Sequence, residues 1–215
     1  MLINNQLQRL KVLCTACALM VAAGAAQAQV SGSGWTGQSL SLVIPGTTPN
    51  VTFTSPGINF NSAVSTYYTI GSWLNTGGAT GVSYSGGAAS GDSIDNMIFR
   101  LTGSVYLTAG ANTLDIGHDD GVIVSITGIG TVLNAPGATS YVLSPYTFTA
   151  PSTGVYNFEV DYQEVQGPPA VLVMQYPNGE PVGRVPDGGC TVGLLGLGLT
   201  GLAALRKRIA GSGVA

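Results

Sequence analysis

Charged side chains are scarce in this chain of 215 residues: they make up 8% of it, against roughly 25% in an ordinary soluble protein. Only seven residues are Lys or Arg. That excludes a nucleic-acid binder, which needs cations to neutralise phosphates, and a charged coiled coil, which needs Glu and Lys along its helices. Collagen is excluded too, because the 32 glycines show no repeat of three.

The few cations lie mostly near the two ends of the chain. Residues 29–183 contain no lysine and one arginine, Arg100, against nine acids. This middle part is therefore strongly acidic, while both ends are basic. The division indicates three segments with different roles, namely residues 1–28, 29–183 and 184–215.

The first 28 residues have the composition of a secretory signal peptide. Arg9 and Lys11 precede the apolar run 12–26, and an A-x-A cleavage site ends at Ala28. Cleavage there would make Gln29 the new N-terminus. The alternative is a membrane anchor that stays, but about 15 apolar residues are fewer than the roughly 20 that span a bilayer.

Cysteine is absent from the middle segment. Cys14 and Cys17 lie in the predicted signal peptide and Cys190 lies in the tail. The C-x-x-C spacing of the first pair is typical of redox motifs in cytosolic folds, but here it falls in the part to be removed. We therefore expect a domain without disulfides, which about 155 residues can form because they bury a sufficient core.

The tail combines a short motif, an apolar stretch and a basic end. Residues 191–205 predict a short transmembrane helix of roughly 22 Å, and the cations after it would stop it at the cytoplasmic side. A plain tail anchor and a processing signal both fit this order. The motif is Val185, Pro186, Asp187, Gly188 and Gly189, and the membrane stop is Arg206, Lys207 and Arg208.

This three-part order resembles the PEP-CTERM sorting signals of Gram-negative bacteria, in the variant where Val-Pro-Asp replaces Pro-Glu-Pro. The resemblance implies export through the inner membrane, a transient membrane anchor, and cleavage by an exosortase-type membrane protease. Release to the cell surface or the extracellular matrix would follow. Cys190, between motif and span, is either a lipid-attachment or processing site or a passive small residue at the start of the helix.

Between the two ends, short runs of β-formers are separated by Gly, Ser, Asn and Pro, the pattern of an all-β sandwich or barrel. Residues 155–162 alternate strictly between apolar and polar side chains. No stretch has a helical period, segment 75–93 is predicted to be a long mobile loop, and Pro145 should keep its strand at an edge or a bulge. The other predicted strands lie near 38–44, 51–54, 64–70, 97–107, 112–116, 122–127, 141–149 and 170–176.

The order of motifs across residues 100–176 resembles a PA14-type β-sandwich. The residues that carry the resemblance are an Asp-Asp-Gly turn at 119–121, the strand 122–127 that follows it, and the later strands up to 170–175. The resemblance implies an antiparallel β-sandwich of jelly-roll type that often binds carbohydrate, and some members hold calcium with the paired aspartates. Thr127-Gly128 stands here where Asp-Gly is expected.

Asp119 and Asp120 form the densest anionic spot in the domain. Calcium takes six to eight oxygen ligands, to which Asp115 and Asn134 could contribute if the fold brings them near. Adjacent aspartates point to opposite sides of an extended chain, so sharing one ion requires an unusual backbone such as a cis peptide. The alternative is a plain turn, in which the carboxylates bond nearby N–H groups and Gly121 takes a positive φ.

Candidates for catalysis are sparse. His118, the only histidine, could be a metal ligand or a base, but we expect a surface residue beside the turn. A Ser-His-Asp triad would lack the G-x-S-x-G elbow. Glu159 and Asp161 share a strand face at a spacing that suits two glycosidase carboxylates, with Glu164 just after them, but a solvated face explains them equally well.

Two further sets of residues are weaker candidates for a site. The acidic run with Asp92, Asp95 and Asn96 lacks the D-x-D-x-D-G spacing of calcium loops, so we expect a polar turn. Five aromatic rings could stack on sugars, and we expect at least half of them to be buried. They are Trp35, Trp73, Tyr67, Tyr68 and Tyr84.

The sequence therefore predicts an exported, non-enzymatic β-sandwich protein that binds or organises extracellular polysaccharide, with calcium as the one candidate cofactor. A structural matrix protein without a specific ligand is the first alternative. An extracellular glycosidase or esterase is the second.

Overall fold

The computed structural model describes residues 29–37, 42–62, 68–165 and 167–183. The predicted signal peptide, sorting motif and sorting helix lie outside these residues. In the part of the chain that is described, no helix has the length and apolar character needed to cross a membrane.

The described chain is an antiparallel β-sandwich, as the sequence predicts. The larger sheet has the strand order β4-β2-β1-β5-β10-β7-β8 and the smaller has the order β3-β11-β6-β9. The elements are β1 (Val30–Trp35), β2 (Val51–Ser55), β3 (Asn59–Asn61), α1 (Ile70–Thr76), β4 (Thr80–Tyr84), β5 (Met97–Leu107), β6 (Gly110–Asp119), β7 (Gly121–Ile126), β8 (Gly130–Ala135), β9 (Val142–Ala150), β10 (Gly154–Glu164) and β11 (Val171–Gln175).

An aromatic cluster around the helix joins the two sheets. Trp73 of α1 is fully buried. Its ring lies 4.5 Å from that of Phe60 in the smaller sheet, and 4.6 Å and 5.6 Å from those of Phe99 and Tyr162 in the larger one. Such ring pairs add to the stability gained from burial alone. Trp73 is therefore a core residue and offers no ring to a sugar.

The helix α1 corrects the expectation that no helix is present. It starts at Ile70, and Thr69 and Ser72 cap it reciprocally through side chain and backbone, which satisfies otherwise unpaired N–H groups. With seven residues, α1 makes only two turns, too few to show a period of 3.6. The predicted loop 75–93 is also wrong in part, because it contains β4, which pairs with β2.

Several predicted strands differ from the observed ones. Residues 42–44 form no strand, while 38–41 and 63–67 lie outside the described residues. The last residue of the strand predicted near 64–70 is instead the first residue of α1. Pro145 lies in β9, an edge strand of the smaller sheet, as predicted, because proline cannot donate a ladder hydrogen bond.

The two ends of the described domain meet. The backbone N–H of Val182 donates to the carbonyl of Met174 at 2.8 Å, and Ile58 donates to the carbonyl of Val182 at 3.0 Å. A Cβ on Gly183 would come within 2.6 Å of Cγ2 of Val30. The last described residues therefore lie against the first strand.

Candidate functional site

Three buried carboxylates meet at one end of the sandwich. Asp119 ends β6, Asp120 follows it, and Glu164 ends β10. One oxygen of each lies within 4.8 Å of the other two, and the residues are only 6%, 6% and 1% exposed. The Asp119–Asp120 peptide bond is cis. We call these three residues the carboxylate cluster.

Glu164 joins the cluster because of its position in β10. Phe158, Val160 and Tyr162 face the core, and side chains two residues apart share a face of a strand. Glu164 continues that buried series by one step. The sequence groups Glu164 with Glu159 and Asp161 and does not predict this role, although the even spacing of Glu164 from Tyr162 is a signal for it.

Hydrogen bonds fix the orientation of Asp120. Its Oδ1 accepts the N–H of Thr139 at 3.0 Å and its Oδ2 accepts the N–H of Val165 at 2.9 Å. These partners lie in the loop between β8 and β9 and directly after β10. The Asp120 side chain therefore ties two distant segments to the end of β6.

Tyr162 links the other two members of the cluster. Its hydroxyl lies within hydrogen-bonding distance of the carbonyl of Asp119 and at 2.8 Å from Oε2 of Glu164. A phenol has one hydrogen for these two acceptors. A protonated Glu164 would supply the second hydrogen, since a carboxylic acid can donate.

Burial changes the acidity of the cluster. It raises the pKa of Glu164 to about 8, a shift that the hydroxyls of Tyr68 and Tyr162 partly oppose. Burial, followed by the charge of Asp120, raises the pKa of Asp119 to about 6. The pKa of the Tyr162 phenol is also raised, first by burial and then by Glu164. The cluster is therefore costly to ionise when nothing positive is bound.

No cationic side chain of the described residues neutralises the cluster. Arg100 is the single Lys or Arg in that part of the chain, and it binds Asp161 and Glu159 instead. Oε1 of Glu164 and the hydroxyl of Tyr68 are both buried without a hydrogen bond of good geometry. A buried carboxylate is tolerated as an anion when it is paired or coordinates a metal ion.

The dimensions of the cluster suit calcium. Calcium–oxygen distances are 2.3–2.6 Å, so two oxygens on one ion lie at most about 5 Å apart. The three oxygens lie within 4.8 Å of one another. The oxygens of Asp120 that accept N–H groups keep further lone pairs for a metal. The residues present therefore fit a hard cation.

The plain-turn alternative explains this segment only in part. The Asp120 carboxylate does bond N–H groups, but these are 19 and 45 residues away. Gly121 does not have the expected positive φ. Glycine is needed there for space, because a Cβ would come within 2.5 Å of the carbonyl oxygen of Pro136.

Other predicted residues lie outside the cluster. Asp115 lies on β6 opposite Pro145, four residues before Asp119 and roughly 13 Å along the strand. Asn134 is exposed on β8. The expected surface position of His118 is wrong: the residue is 4% exposed, and its Nδ1 bonds the carbonyl of Asp120.

The second acidic turn is a polar loop held by its own side chains. Oδ2 of Asp92 accepts the N–H of Ala89 at 2.7 Å, and Oδ1 of Asp95 accepts the N–H of Gly167 at 2.9 Å. Asn96 has a φ of 57°, a conformation that asparagine tolerates well.

The predicted stacking rings are mostly unavailable. Trp35 is 6% exposed and its Nε1 donates to the carbonyl of Thr47. Tyr68 and Tyr84 are half-buried, and Tyr67 lies outside the described residues. Both tryptophans are buried and the two described tyrosines are only partly so, so two of the five rings are buried and the expectation of at least half stays a prediction.

Comparison with protein families supports the interpretation of the tail. Residues 184–209 match the VPDSG-CTERM motif, which confirms the resemblance to PEP-CTERM-type sorting signals. The match covers the tail and does not reach the β-sandwich. A search of curated proteins finds no matching sequence.

Comparison with solved structures supports the predicted fold. A PA14 sugar-binding domain from an RTX adhesin has a TM-score of 0.53 and 22% identity, with 69% of this chain and 89% of that chain covered. The PA14 domain of the antifreeze protein MpAFP has a TM-score of 0.53 and 19% identity, with 73% and 85% covered. The described domain is thus similar in fold to PA14 domains, and the tail carries a PEP-CTERM-like sorting motif.

Proposed function

We propose that this protein is exported, sorted to the cell surface by its C-terminal motif, and binds extracellular polysaccharide through a calcium ion held by the carboxylate cluster. The observation that carries the proposal is the meeting of Asp119, Asp120 and Glu164 within 4.8 Å without a cationic partner among the described residues. Support comes from the PA14 structure described as a sugar-binding domain and from the tail motif.

The chain's own residues would prepare the calcium site. The N–H groups of Thr139 and Val165 hold the Asp120 carboxylate in place, and Tyr162 positions Glu164 beside the carbonyl of Asp119. Calcium, when bound, supplies positive charge and open coordination positions for sugar hydroxyls. Three carboxylates fill fewer than the six to eight positions that calcium offers, which leaves room for a ligand.

The tail would act before the domain meets its ligand. An exosortase-type membrane protease would recognise the segment with Val185, Pro186 and Asp187 and release the domain from a transient membrane anchor. The cations Arg206, Lys207 and Arg208 would keep the end of the anchor on the cytoplasmic side. The two PA14 domains named above are described as a sugar-binding domain of an adhesin and a domain of an antifreeze protein, and we propose no catalytic role for this chain.

Calcium and glycan binding test the proposal together. The full-length chain should show a higher melting temperature with calcium than with EDTA. It should be retained on an immobilised bacterial polysaccharide that lacks free amino sugars only when calcium is present. Asp119→Asn should weaken calcium binding at least about tenfold, because it removes a charged ligand. Glu180→Gln removes an exposed acid elsewhere and is the matched control.

Two outcomes would contradict the proposal. If calcium leaves the melting temperature unchanged, the cluster does not hold the ion. If calcium binds but no polysaccharide is retained, the protein is a structural matrix component and the carbohydrate part of the proposal is wrong.

A further inference from the structure

A second polar surface lies on the open face of the larger sheet. An open depression of about 590 Å³ crosses strands β5, β10 and β7, a volume within the range of ligand sites in proteins. The depression is distinct from the carboxylate cluster: Glu164 faces the core, whereas Asn157 and Glu159 of the same strand face outward. We call this surface the polar face.

The strand register arranges the polar face as a small grid. Asn157 lies between Ser104 and Thr127, because it is the register partner of Ser104 and its carbonyl accepts the N–H of Thr127. Glu159 lies between Thr102 and Ser125. With strands about 4.8 Å apart and alternate residues roughly 6.7 Å apart, the six side chains cover an area of about 10 by 7 Å.

The six side chains of the grid are all polar. Four of its side chains are hydroxyls, one is an amide and one is a carboxylate. The hydroxyl of Ser104 donates to Oδ1 of Asn157 at 3.1 Å, so the Asn157 amide hydrogens stay available as donors to a ligand. A flat array of short donors and acceptors suits the hydroxyls of a sugar ring better than it suits apolar side chains.

The charge at one end of the grid is negative. Arg100 directs Nε and Nη2 at the two oxygens of Asp161, at 2.7 and 2.8 Å, and has one further contact, from Nη2 to Oε1 of Glu159 at 3.0 Å. One cation thus serves two carboxylates. The Asp161 side chain is 14% exposed and that of Glu159 is 44% exposed. The excess negative charge therefore faces the depression at Glu159.

We propose that the polar face binds an amino sugar, a glucosamine unit of a partly de-N-acetylated polysaccharide. The sugar's ammonium group pairs with Glu159, and its hydroxyls bond Asn157 and the neighbouring serine and threonine hydroxyls. Charge complementarity selects the free amine over the N-acetylated form. The inference rests on the proposed function only in that the ligand is carbohydrate, since it uses none of the cluster residues.

Binding without calcium tests this inference separately from the proposed function. The full-length chain is titrated calorimetrically in EDTA with a glucosamine tetramer, an N-acetylglucosamine tetramer and tetralysine. We expect the glucosamine tetramer to bind at least about tenfold more tightly than the other two. Glu159→Gln should reduce that affinity by about tenfold or more, since a hydrogen bond to a charged group is lost, whereas Glu180→Gln should leave it unchanged.

A second variant separates sugar recognition from attraction of any cation. Asn157→Ala should weaken binding of the glucosamine tetramer and leave tetralysine unaffected. Equal binding of tetralysine and the glucosamine tetramer would overturn the proposal, and so would wild-type affinity in Glu159→Gln. Calcium-dependent retention on polysaccharide, measured on the same preparation, shows whether the proposed function stands when this inference fails.

Discussion

Strand β10 carries acids on both of its faces, and the two faces neutralise them in different ways. Glu159 and Asp161 point outward and share the guanidinium of Arg100. Glu164 points inward, where the Tyr162 hydroxyl and the carboxylates of Asp119 and Asp120 surround it. Odd-numbered positions of β10 thus carry ion-paired surface carboxylates. The even-numbered position 164 carries a buried carboxylate, which needs a proton or a metal ion.

Burial and neighbouring charges, rather than residue type, therefore decide whether an acidic side chain of β10 is ionised and what it can bind. On the outer face Arg100 makes a two-pronged contact with Asp161 and a single contact with Glu159, whose side chain is 44% exposed. In the cluster, desolvation raises the pKa of Glu164 and Asp119. The outer acids are therefore suited to bind a cationic group from solution, and the inner ones to enclose an ion.

The largest effect should come from pH in the absence of metal. Because the folded-state pKa values of Glu164 and Asp119, about 8 and about 6, lie above their ordinary values, the folded protein binds protons more tightly than the unfolded chain. Stability is therefore lost as pH rises from 5 to 8, by an amount on the order of a few kcal/mol. Urea unfolding in EDTA at several pH values measures this loss.

Two controls sharpen the pH experiment. Glu164→Gln keeps the shape but not the charge, and should flatten most of the pH dependence. Saturating calcium should restore more stability at pH 8 than at pH 5, because metal binding needs deprotonated carboxylates. A metal-free stability that rises between pH 5 and 8 would contradict the raised pKa values.

A smaller effect should come from the outer face when its cation is removed. Arg100→Met leaves Asp161, with a side chain only 14% exposed, without its paired donors. We expect a loss of about 1–2 kcal/mol in the free energy of unfolding. Arg100→Lys keeps the charge but not the two-pronged geometry. Its free energy of unfolding should lie between those of Arg100→Met and the wild type. Equal stability of Arg100→Met and wild type would show that the pair is neutral in energy.

The smallest effect should come from Glu159. Its side chain is 44% exposed and makes one contact with Arg100, so Glu159→Gln should change the free energy of unfolding by less than about 0.5 kcal/mol. Thermal unfolding with calcium present measures it. A loss above about 1 kcal/mol would place Glu159 in the structural network and remove it as a free ligand group.

The strands with visible alternation were predictable from the sequence. Strands β5, β7, β9 and β10 lie within a residue or two of their predicted positions, because their apolar side chains recur every second residue. Strand β1 was not predicted. Its core-facing positions include Gly32 and Gly34, where a Cβ would collide with the rings of Phe53 and Phe99, so glycines stand where apolar side chains would reveal the pattern.

The candidate site was predictable only in its local part. Asp119 and Asp120 are adjacent in the sequence, so they are recognisable from it as a candidate anionic site. Glu164 reaches them because β10 crosses the larger sheet beside β7, whose first residue follows Asp120. That contact depends on the pairing of Gln163 with Gly121, which are far apart along the chain, and one sequence does not display such a pairing. The polar face depends in the same way on the registers of three strands.

The contact between Gly183 and Val30 means that the β-sandwich begins and ends at a single corner. Among the described residues, the paired strands of both sheets all lie between these two residues. The same corner would accept a short peptide that closes the backbone into a ring, with new ends opened in a surface loop elsewhere. Neighbouring ends of this kind are the geometry that a domain inserted into another polypeptide requires.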